Sequence, residues 1–199
     1  QQPEKRKRGE QQPGRDRLDR YLEAQIASRR ARPSDDLISY LLSATIEGRG
    51  LSDSHIAGTI MLLLLAGVDT TWSAIGAALW HLARHPADAD RMRGDPAGVP
   101  VAVEELLRAY APVTMARIVK EDCTFHGYSL RAGEWILLPF PAANRDPSKF
   151  PDPDEVNLGR TDNRHAAFGL GVHRCLGSHL ARVEVRVALE CFLARVRSF

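Results

Sequence analysis

The stretch FGLGVHRCLG, residues 168–177, places one cysteine in a glycine-rich loop, two residues after a histidine. Gly169, Gly171 and Gly177 all fall within this loop. Glycines reduce stability through conformational entropy, so they are expected where the backbone needs a positive φ or lies close to a bulky group. The final helix is predicted to begin near Cys175. The loop is therefore predicted to be shaped around a bulky object, with Cys175 aimed at it.

The position of Cys175 leaves several chemistries open. A cysteine at a helix N-terminus meets free N–H groups and the positive end of the helix dipole, which favour the thiolate. A thiolate there can act as a nucleophile, a redox thiol or a metal ligand. The alternative is an inert, buried cysteine. His173 is near enough along the chain for a Cys–His pair, but no Asp or Asn is placed to orient it.

The charge of the chain is small overall but uneven along its length. The net charge is +2 over 199 residues, which excludes a polyelectrolyte. Residues 1–32 hold ten Lys or Arg and five Asp or Glu. Residues 1–14 are polar and basic, with nothing to bury, and predict a disordered tail. The KRKR run at 5–8 can be a nucleic-acid patch, but we favour a solvated tail.

The cysteines and the apolar runs indicate the cellular compartment in which the chain resides. Cys123, Cys175 and Cys191 are an odd, sparse set without C-x-x-C spacing, which argues against a disulfide framework and fits a reducing cytosol. The longest apolar run, 56–68, has 13 residues and is too short to span a bilayer. We expect a cytoplasmic chain that enters no membrane.

Hydrophobic periodicity predicts a mainly α fold with a small β portion. The polar segment at 141–167, rich in Pro, Asp and Asn, is expected to be irregular, and residues 116–140 predict short strands around Gly127 and Gly133. A long helix, capped by Ser52 and stopped by Pro86, is expected to be buried and central because it is apolar on nearly every side. The predicted helices are 18–31, 36–46, 52–85, 101–110 and one from near Cys175 onward.

Two further patterns stand out. Asp69, Thr70 and Thr71 interrupt the long apolar helix one turn after a small pair, Ala66-Gly67. This indicates a local groove where a Thr hydroxyl can turn toward an outside partner; the alternative is a mere helix irregularity. In EELLR, residues 104–108, a glutamate and an arginine stand three residues apart on one helix face, which alone is a weak signal.

These motifs occur together in one order. AGVDTT (66–71), EELLR, ANRDPSKFPDPDE (143–155) and FGLGVHRCLG followed by LARVE resemble the cytochrome P-450 superfamily, particularly its soluble bacterial members. The Cys loop matches F-x-x-G-x-x-x-C-x-G at every fixed position. The resemblance covers about 18–199, roughly half the usual family length. We therefore expect a partial domain over 15–199, truncated at both ends.

The resemblance implies the C-terminal half of that fold: a long central helix, a Glu-x-x-Arg helix, a meander, a Cys-ligand loop and a following helix. It implies haem b (iron protoporphyrin IX) as cofactor, with Cys175 as the proximal thiolate ligand. The loop glycines would lie close under the macrocycle, and His173 and Arg117 would contact its propionates. The implied cofactor-binding residues are Ala66, Gly67, Arg117, Phe168, Gly169, Gly171, His173, Cys175 and Gly177.

The resemblance also assigns roles away from the Cys loop. Asp69 and Thr70 would be the acid–alcohol pair that relays protons to dioxygen, whereas Glu105 and Arg108 would be a structural pair. In the meander, Glu155 takes a position where many members have Arg or His. Either another cation such as Arg160 replaces that residue, or the network is weakened.

The implied activity is monooxygenation of a small organic molecule, using dioxygen and electrons from NAD(P)H through a ferredoxin. Basic residues near the loop (Arg174, Arg182 and Arg186) either bind an acidic ferredoxin or simply solvate the last helix.

A rival hypothesis is a truncated or split, non-catalytic chain that folds or binds haem poorly; a separate chain would then supply the missing N-terminal half. A peroxide-using haem enzyme and a cysteine hydrolase are two more rival hypotheses. Some of Leu62 to Leu65 are expected to face water.

Overall fold

The computed structural model of the chain describes residues 13–199, and its described part is mainly α-helical with short strands, as the sequence predicts. The predicted tail at 1–12 lies outside the described residues, whereas Pro13 and Gly14, assigned to that tail, begin the first helix. The elements are α1 (Pro13–Ala31), α2 (Leu37–Ser43), β1 (Thr45–Ile46), β2 (Arg49–Gly50), α3 (Asp53–Arg84), α4 (Pro86–Gly94), α5 (Val99–Ala109), β3 (Thr114–Ile118), β4 (Cys123–Phe125), β5 (Tyr128–Leu130), β6 (Trp135–Pro139), α6 (Phe140–Ala143) and α7 (Ser178–Arg195).

The described residues divide into two compact units, one that ends at Ala66 and one that spans Gly67–Phe199. In the first, Ile26, Leu41 and Ile56 form a small buried core. The helix predicted at 36–46 is shorter than expected, because α2 ends at Ser43 and the following residues form an antiparallel β1–β2 hairpin. Its turn has two left-handed residues, which favours a tight hairpin over a continued helix.

The long helix is present with its predicted cap, since the Ser52 hydroxyl accepts a hydrogen bond from the His55 N–H at 3.2 Å. It ends at Arg84, and Pro86 then begins a new helix, α4, which the sequence analysis missed. Proline suits the first helical position because the N–H that it lacks would have no partner there. Only Ala89 and Met92 of α4 are buried, so its apolar pattern is too sparse to predict a helix.

The core of the second unit is formed by three helices. Buried residues of α3, α5 and α7 meet here, joined by α4 and by residues of the long segment that precedes the Cys loop. Helix α5 is the most buried, with only Pro100, Val101 and Glu104 reaching partly or wholly to the surface. The buried residues from the three main helices include Ala74, Ala78, Leu82, Val103, Leu106, Val185, Leu189 and Leu193.

The four strands that follow α5 form antiparallel pairs close to the segment, 116–140, in which the sequence predicts them. β3 pairs with β6, with Thr114 opposite Pro139 and Ile118 opposite Trp135. β4 pairs with β5 across a turn at Gly127, whose φ is +83°. The irregular segment is also confirmed, although α6 occupies its first residues.

Helix α3 is less buried than the sequence analysis expected. Ile56 and Leu82 are buried, but Leu62 and Leu65 are 66% and 63% exposed, and Leu63 and Leu64 are exposed as well. The expectation that some of these leucines face water is confirmed, whereas a fully buried helix is wrong for the described chain. At 32 residues, α3 is long and apolar enough to cross a membrane by length and composition; a single such helix is weak evidence, because core helices of soluble proteins meet the same criteria.

Candidate functional site

The Cys loop is closed by a backbone hydrogen bond. The Cys175 N–H donates to the Phe168 carbonyl at 2.8 Å, joining the two ends of the motif. Gly169 and Gly171 both have a φ of +68°, a left-handed conformation that glycine adopts without the steric strain that other residues incur. Gly177 has an ordinary φ of −81°, so a positive φ does not explain it.

Helix α7 begins at Ser178, three residues after Cys175. The cysteine therefore precedes the helix and does not start it, which corrects the predicted boundary. The Cys175 carbonyl accepts a hydrogen bond from the Ser178 N–H at 3.3 Å, so the loop still leads directly into the helix.

Cys175 is exposed, so the hypothesis of an inert, buried cysteine is wrong. Cys123 and Cys191 are likewise free and exposed, but neither lies in a glycine loop. Within residues 13–199 no group of three or more His, Cys, Asp or Glu side chains is arranged to hold a metal ion. A metal at Cys175 would thus have fewer than three such protein ligands in this part of the chain, which is compatible with the iron of a haem held by a single axial side chain.

The surroundings of Cys175 fit a large apolar ring. Leu170, Val172 and Leu176 on the loop are 72%, 97% and 86% exposed, which leaves an apolar surface around the thiol. A Cβ added at Gly171 would meet no atom within 4 Å, and one added at Gly177 would lie 3.9 Å from the Cys175 Sγ. The residues present therefore fit the cofactor that the sequence analysis implied.

Two side chains were expected to donate hydrogen bonds to the cofactor's carboxylates, and the structure shows where each of them lies. His173 is exposed and lies in a short 3-10 turn of the loop. Arg117 lies on β3, half-buried, and its guanidinium donates to the adjacent Ala116 carbonyl at 2.9 Å. Both side chains remain candidates for a carboxylate.

The polar residues of α3 are less buried than expected. Asp69 is exposed and Thr70 is half-buried, so the argument from buried polar groups does not apply to Asp69. Ala66 and Gly67 are exposed too, and a Cβ at Gly67 would meet nothing within 4 Å. The Thr71 hydroxyl donates to the Glu184 carboxylate at 3.4 Å, which links α3 to α7.

Glu105 and Arg108 form a fully buried ion pair. The Arg108 Nε and Nη2 donate to the two Glu105 carboxylate oxygens at 2.8 and 2.9 Å. The other three N–H groups of Arg108 donate to main-chain carbonyls, each at 2.8 Å, of Asn144, Pro153 and Glu155. All five donors are thereby used, and α5 is fixed to the meander. The structural role that the sequence analysis gave this pair is supported by this geometry.

Arg160 joins this pair, which decides between the two possibilities for the meander. Its Nε lies 3.2 and 3.1 Å from the two Glu105 oxygens. Asn163 donates to Glu105 as well, at 3.0 Å, a contact that the sequence did not indicate. Burial alone would raise the pKa of Glu105, but the hydrogen bonds, led by that from Arg108, outweigh it and lower the pKa.

A second network lies beside the Cys loop and was missed by the sequence analysis. Arg182 donates to Glu104 through Nε at 2.6 Å and through Nη2 at 2.9 Å. The His165 Nε2 lies 3.1 Å from the same carboxylate, and the Arg182 guanidinium lies over the Phe168 ring at 4.5 Å. Burial opposes ionisation of Glu104, but hydrogen bonds from His165 and Arg182 hold its pKa at about 2. The Arg182 guanidinium is thus paired within the chain and is not available to bind an electron-donor protein.

Comparisons with known proteins agree on one family. The profile of the family described as cytochrome P-450 matches residues 4–95 and 99–198. The chain is 41% identical over 179 residues to the probable cytochrome P-450 127A1 of Sinorhizobium fredii, covering 90% of this chain and 43% of the relative. It is 43% identical over 172 residues to the steroid C26-monooxygenase of Mycolicibacterium smegmatis, covering 86% and 43%.

A solved structure gives the same result. CYP109E1 from Bacillus megaterium in complex with testosterone superimposes with a TM-score of 0.85 at 40% identity, over 90% of this chain and 50% of that one. The chain spans about half the length of the relatives that it matches. The fold assigned from the motifs, the C-terminal half of the family fold, is confirmed.

Proposed function

Because the chain belongs to the cytochrome P-450 family, we propose that it is the haem-thiolate portion of a monooxygenase, with haem b held through Cys175. The observation that carries this proposal is the closed Cys loop: an exposed thiol, a hydrogen bond across the loop at 2.8 Å and an exposed apolar rim. When bound, the cofactor would supply activation of dioxygen for insertion of one oxygen atom into a small organic substrate.

The residues of the loop would each have a separate task. Cys175 donates its thiolate, and Phe168 fixes the loop from the opposite end through its carbonyl. Gly169 and Gly171 hold the left-handed backbone that turns the loop, and the open space at Gly171 leaves room for the ring. Gly177 keeps the space next to the sulfur clear. His173 and Arg117 would provide N–H donors for the two carboxylates of the cofactor.

Residues of α3 would serve the other side of the ring. Ala66 and Gly67 are small enough to let a planar group lie against the helix. Asp69 and Thr70 would hold and pass protons toward dioxygen, the acid from its carboxyl group and the alcohol from its hydroxyl.

The relatives bear on the substrate, whereas the electron donor and the location are proposals of our own. The related steroid C26-monooxygenase and the testosterone complex favour an apolar substrate of about steroid size. We assign electrons from NAD(P)H through a ferredoxin, and a cytoplasmic location. Arg174, exposed on the loop, remains a candidate contact for an acidic ferredoxin, whereas Arg182 is already paired with Glu104.

A second candidate is a chain that binds haem poorly and does no chemistry on its own. The observation that favours it is the exposed apolar side of α3, where Leu62 and Leu65 face water. Burying one leucine stabilises a protein by roughly 1.5–3 kcal/mol. Several uncovered leucines would leave the chain loose and prone to aggregate unless another polypeptide supplies the missing cover.

Absorbance spectroscopy tests the proposal. Cys175→Ala should abolish the strongly red-shifted band of the reduced carbonyl complex that haem-thiolate proteins give. Cys123→Ala and Cys191→Ala are matched controls, because both residues are free and exposed but lie outside the loop. Loss of the band in a control, with retention in Cys175→Ala, would show that the ligand is wrongly assigned. Absence of any haem binding by the wild-type chain would favour the second candidate.

A further inference from the structure

The Glu104 network, defined as Glu104, His165, Phe168 and Arg182, sits where helices α5 and α7 meet the Cys loop. Its central contact is a two-pronged ion pair in which the planar guanidinium of Arg182 matches both carboxylate oxygens of Glu104. Both side chains are largely shielded, with 26% and 29% of their surfaces exposed. Such charge-assisted pairs fix geometry as well as adding attraction.

His165 has the hydrogen-bonding state that the network needs. Its Nδ1 accepts a hydrogen bond from the Ala167 N–H at 3.2 Å, so the proton of the neutral ring resides on Nε2. That Nε2 then donates to Glu104 at 3.1 Å. The carboxylate is therefore held by donors from two directions.

Arg182 contacts both ends of the Cys loop. Its guanidinium lies over the ring of Phe168, the first residue of the loop, with the central carbon 4.5 Å from the ring centre. Its Nη1 also donates to the carbonyl of Ser178, the residue that follows the loop, at 3.2 Å. Phe168 and Ser178 in turn hold Cys175, one through its N–H and the other through its carbonyl.

We propose that Glu104 and Arg182, with His165, are positioning residues that brace the two ends of the Cys loop and so fix Cys175 as a ligand. This inference rests on the proposed function. The loop itself is exposed from Leu170 to Gly177, so packing does little to hold it. Arg182 is held in turn by Glu104, which is anchored on the well-buried helix α5. The conformation of the loop thus depends on the Arg182 guanidinium, which Glu104 holds in place from helix α5.

Hydrogen exchange on the haem-free chain tests the brace without any activity. The Cys175 amide is protected by its bond to Phe168, and the Leu189 amide in the buried part of α7 serves as an internal reference. In Arg182→Lys the charge remains, but the planar stack and the two-pronged pair are lost. We expect Cys175 exchange to accelerate about tenfold relative to Leu189.

Two further variants keep the test decisive. Glu104→Gln removes the charge while retaining the side-chain shape, and it should accelerate Cys175 exchange in the same direction. Arg195→Lys, at the exposed end of α7, is the matched control and should leave the ratio unchanged. Equal acceleration at Cys175 and Leu189 in Arg182→Lys would mean global destabilisation and would overturn the inference. An unchanged ratio in both Arg182→Lys and Glu104→Gln would overturn it as well.

Loading the same proteins with haem separates this inference from the proposed function. If Cys175 is the ligand, Arg182→Lys should lose the red-shifted band of the reduced carbonyl complex faster than the wild type, by about the same tenfold factor. If the wild-type chain gives no such band, the proposed function fails, while the exchange ratio still decides whether the brace exists. A normal band that decays at the wild-type rate in Arg182→Lys would refute positioning of the ligand.

Discussion

Arg108→Lys is expected to destabilise the protein severely, although the positive charge is retained. Arg108 is fully buried, and its five N–H groups each donate one hydrogen bond: two to Glu105 and three to main-chain carbonyls. A lysine has three N–H donors on a single nitrogen. At least two of the five acceptors must therefore lose the donor that Arg108 gives them.

The magnitude follows from those two acceptors. A buried polar group without a partner costs about 1–3 kcal/mol. Glu105 keeps other donors, including Arg160, so the main-chain carbonyls of the meander should bear most of the loss. We expect the free energy of unfolding to fall by about 2–6 kcal/mol, which is a large share of the roughly 5–15 kcal/mol by which domains are stable.

Urea unfolding followed by circular dichroism measures this change. The matched control is Arg164→Lys, since the Arg164 side chain is 90% exposed and pairs only with Asp162 among the ion pairs found in residues 13–199. An exposed substitution of this kind should change stability by no more than about 0.5 kcal/mol. If Arg108→Lys lowers the free energy of unfolding by less than about 1 kcal/mol, the number of hydrogen-bond donors does not decide the stability of this site.

Three more outcomes are expected from the same structure. The pKa of Glu104 is held at about 2 against an ordinary 4.5, so its contribution to stability is complete above pH 4.5 and is lost as the pH falls toward 2. The difference in unfolding free energy between wild type and Glu104→Gln should shrink over that interval; a constant difference would contradict it. In a full-length enzyme that contains this chain, Thr70→Ala should keep haem but release peroxide in place of product, whereas Thr70→Ser should stay coupled; unchanged coupling in the alanine variant would remove Thr70 from the mechanism. Replacing Leu62 and Leu65 together by glutamine should reduce aggregation of the chain in light scattering, since both face water; increased aggregation would show that they are packed.

Local signals in the sequence were enough to predict most of the elements and the left-handed turns of the Cys loop. Ser52 and Pro86 predicted the ends of the long helix to within a residue or two, because capping and proline act on the nearest turn. Gly169 and Gly171 indicated a left-handed loop, because the preference of glycine for positive φ is a property of the single residue. Helix α4 was missed, since only two of its residues are buried and no apolar stripe marks it.

The order of the motifs along the chain was enough to identify the family, the fold class and Cys175 as the candidate ligand. Which distant side chains meet became clear only from the packing of the helices: Arg160 completes the Glu105–Arg108 pair, and Arg182 pairs with Glu104. Those pairs join residues about 50 to 80 positions apart in the chain, and their partners depend on how α5, α7 and the meander pack. A charged residue carries no local mark of its distant partner, so the motifs could offer Arg160 only as one of two possibilities and gave no sign of the pair between Arg182 and Glu104.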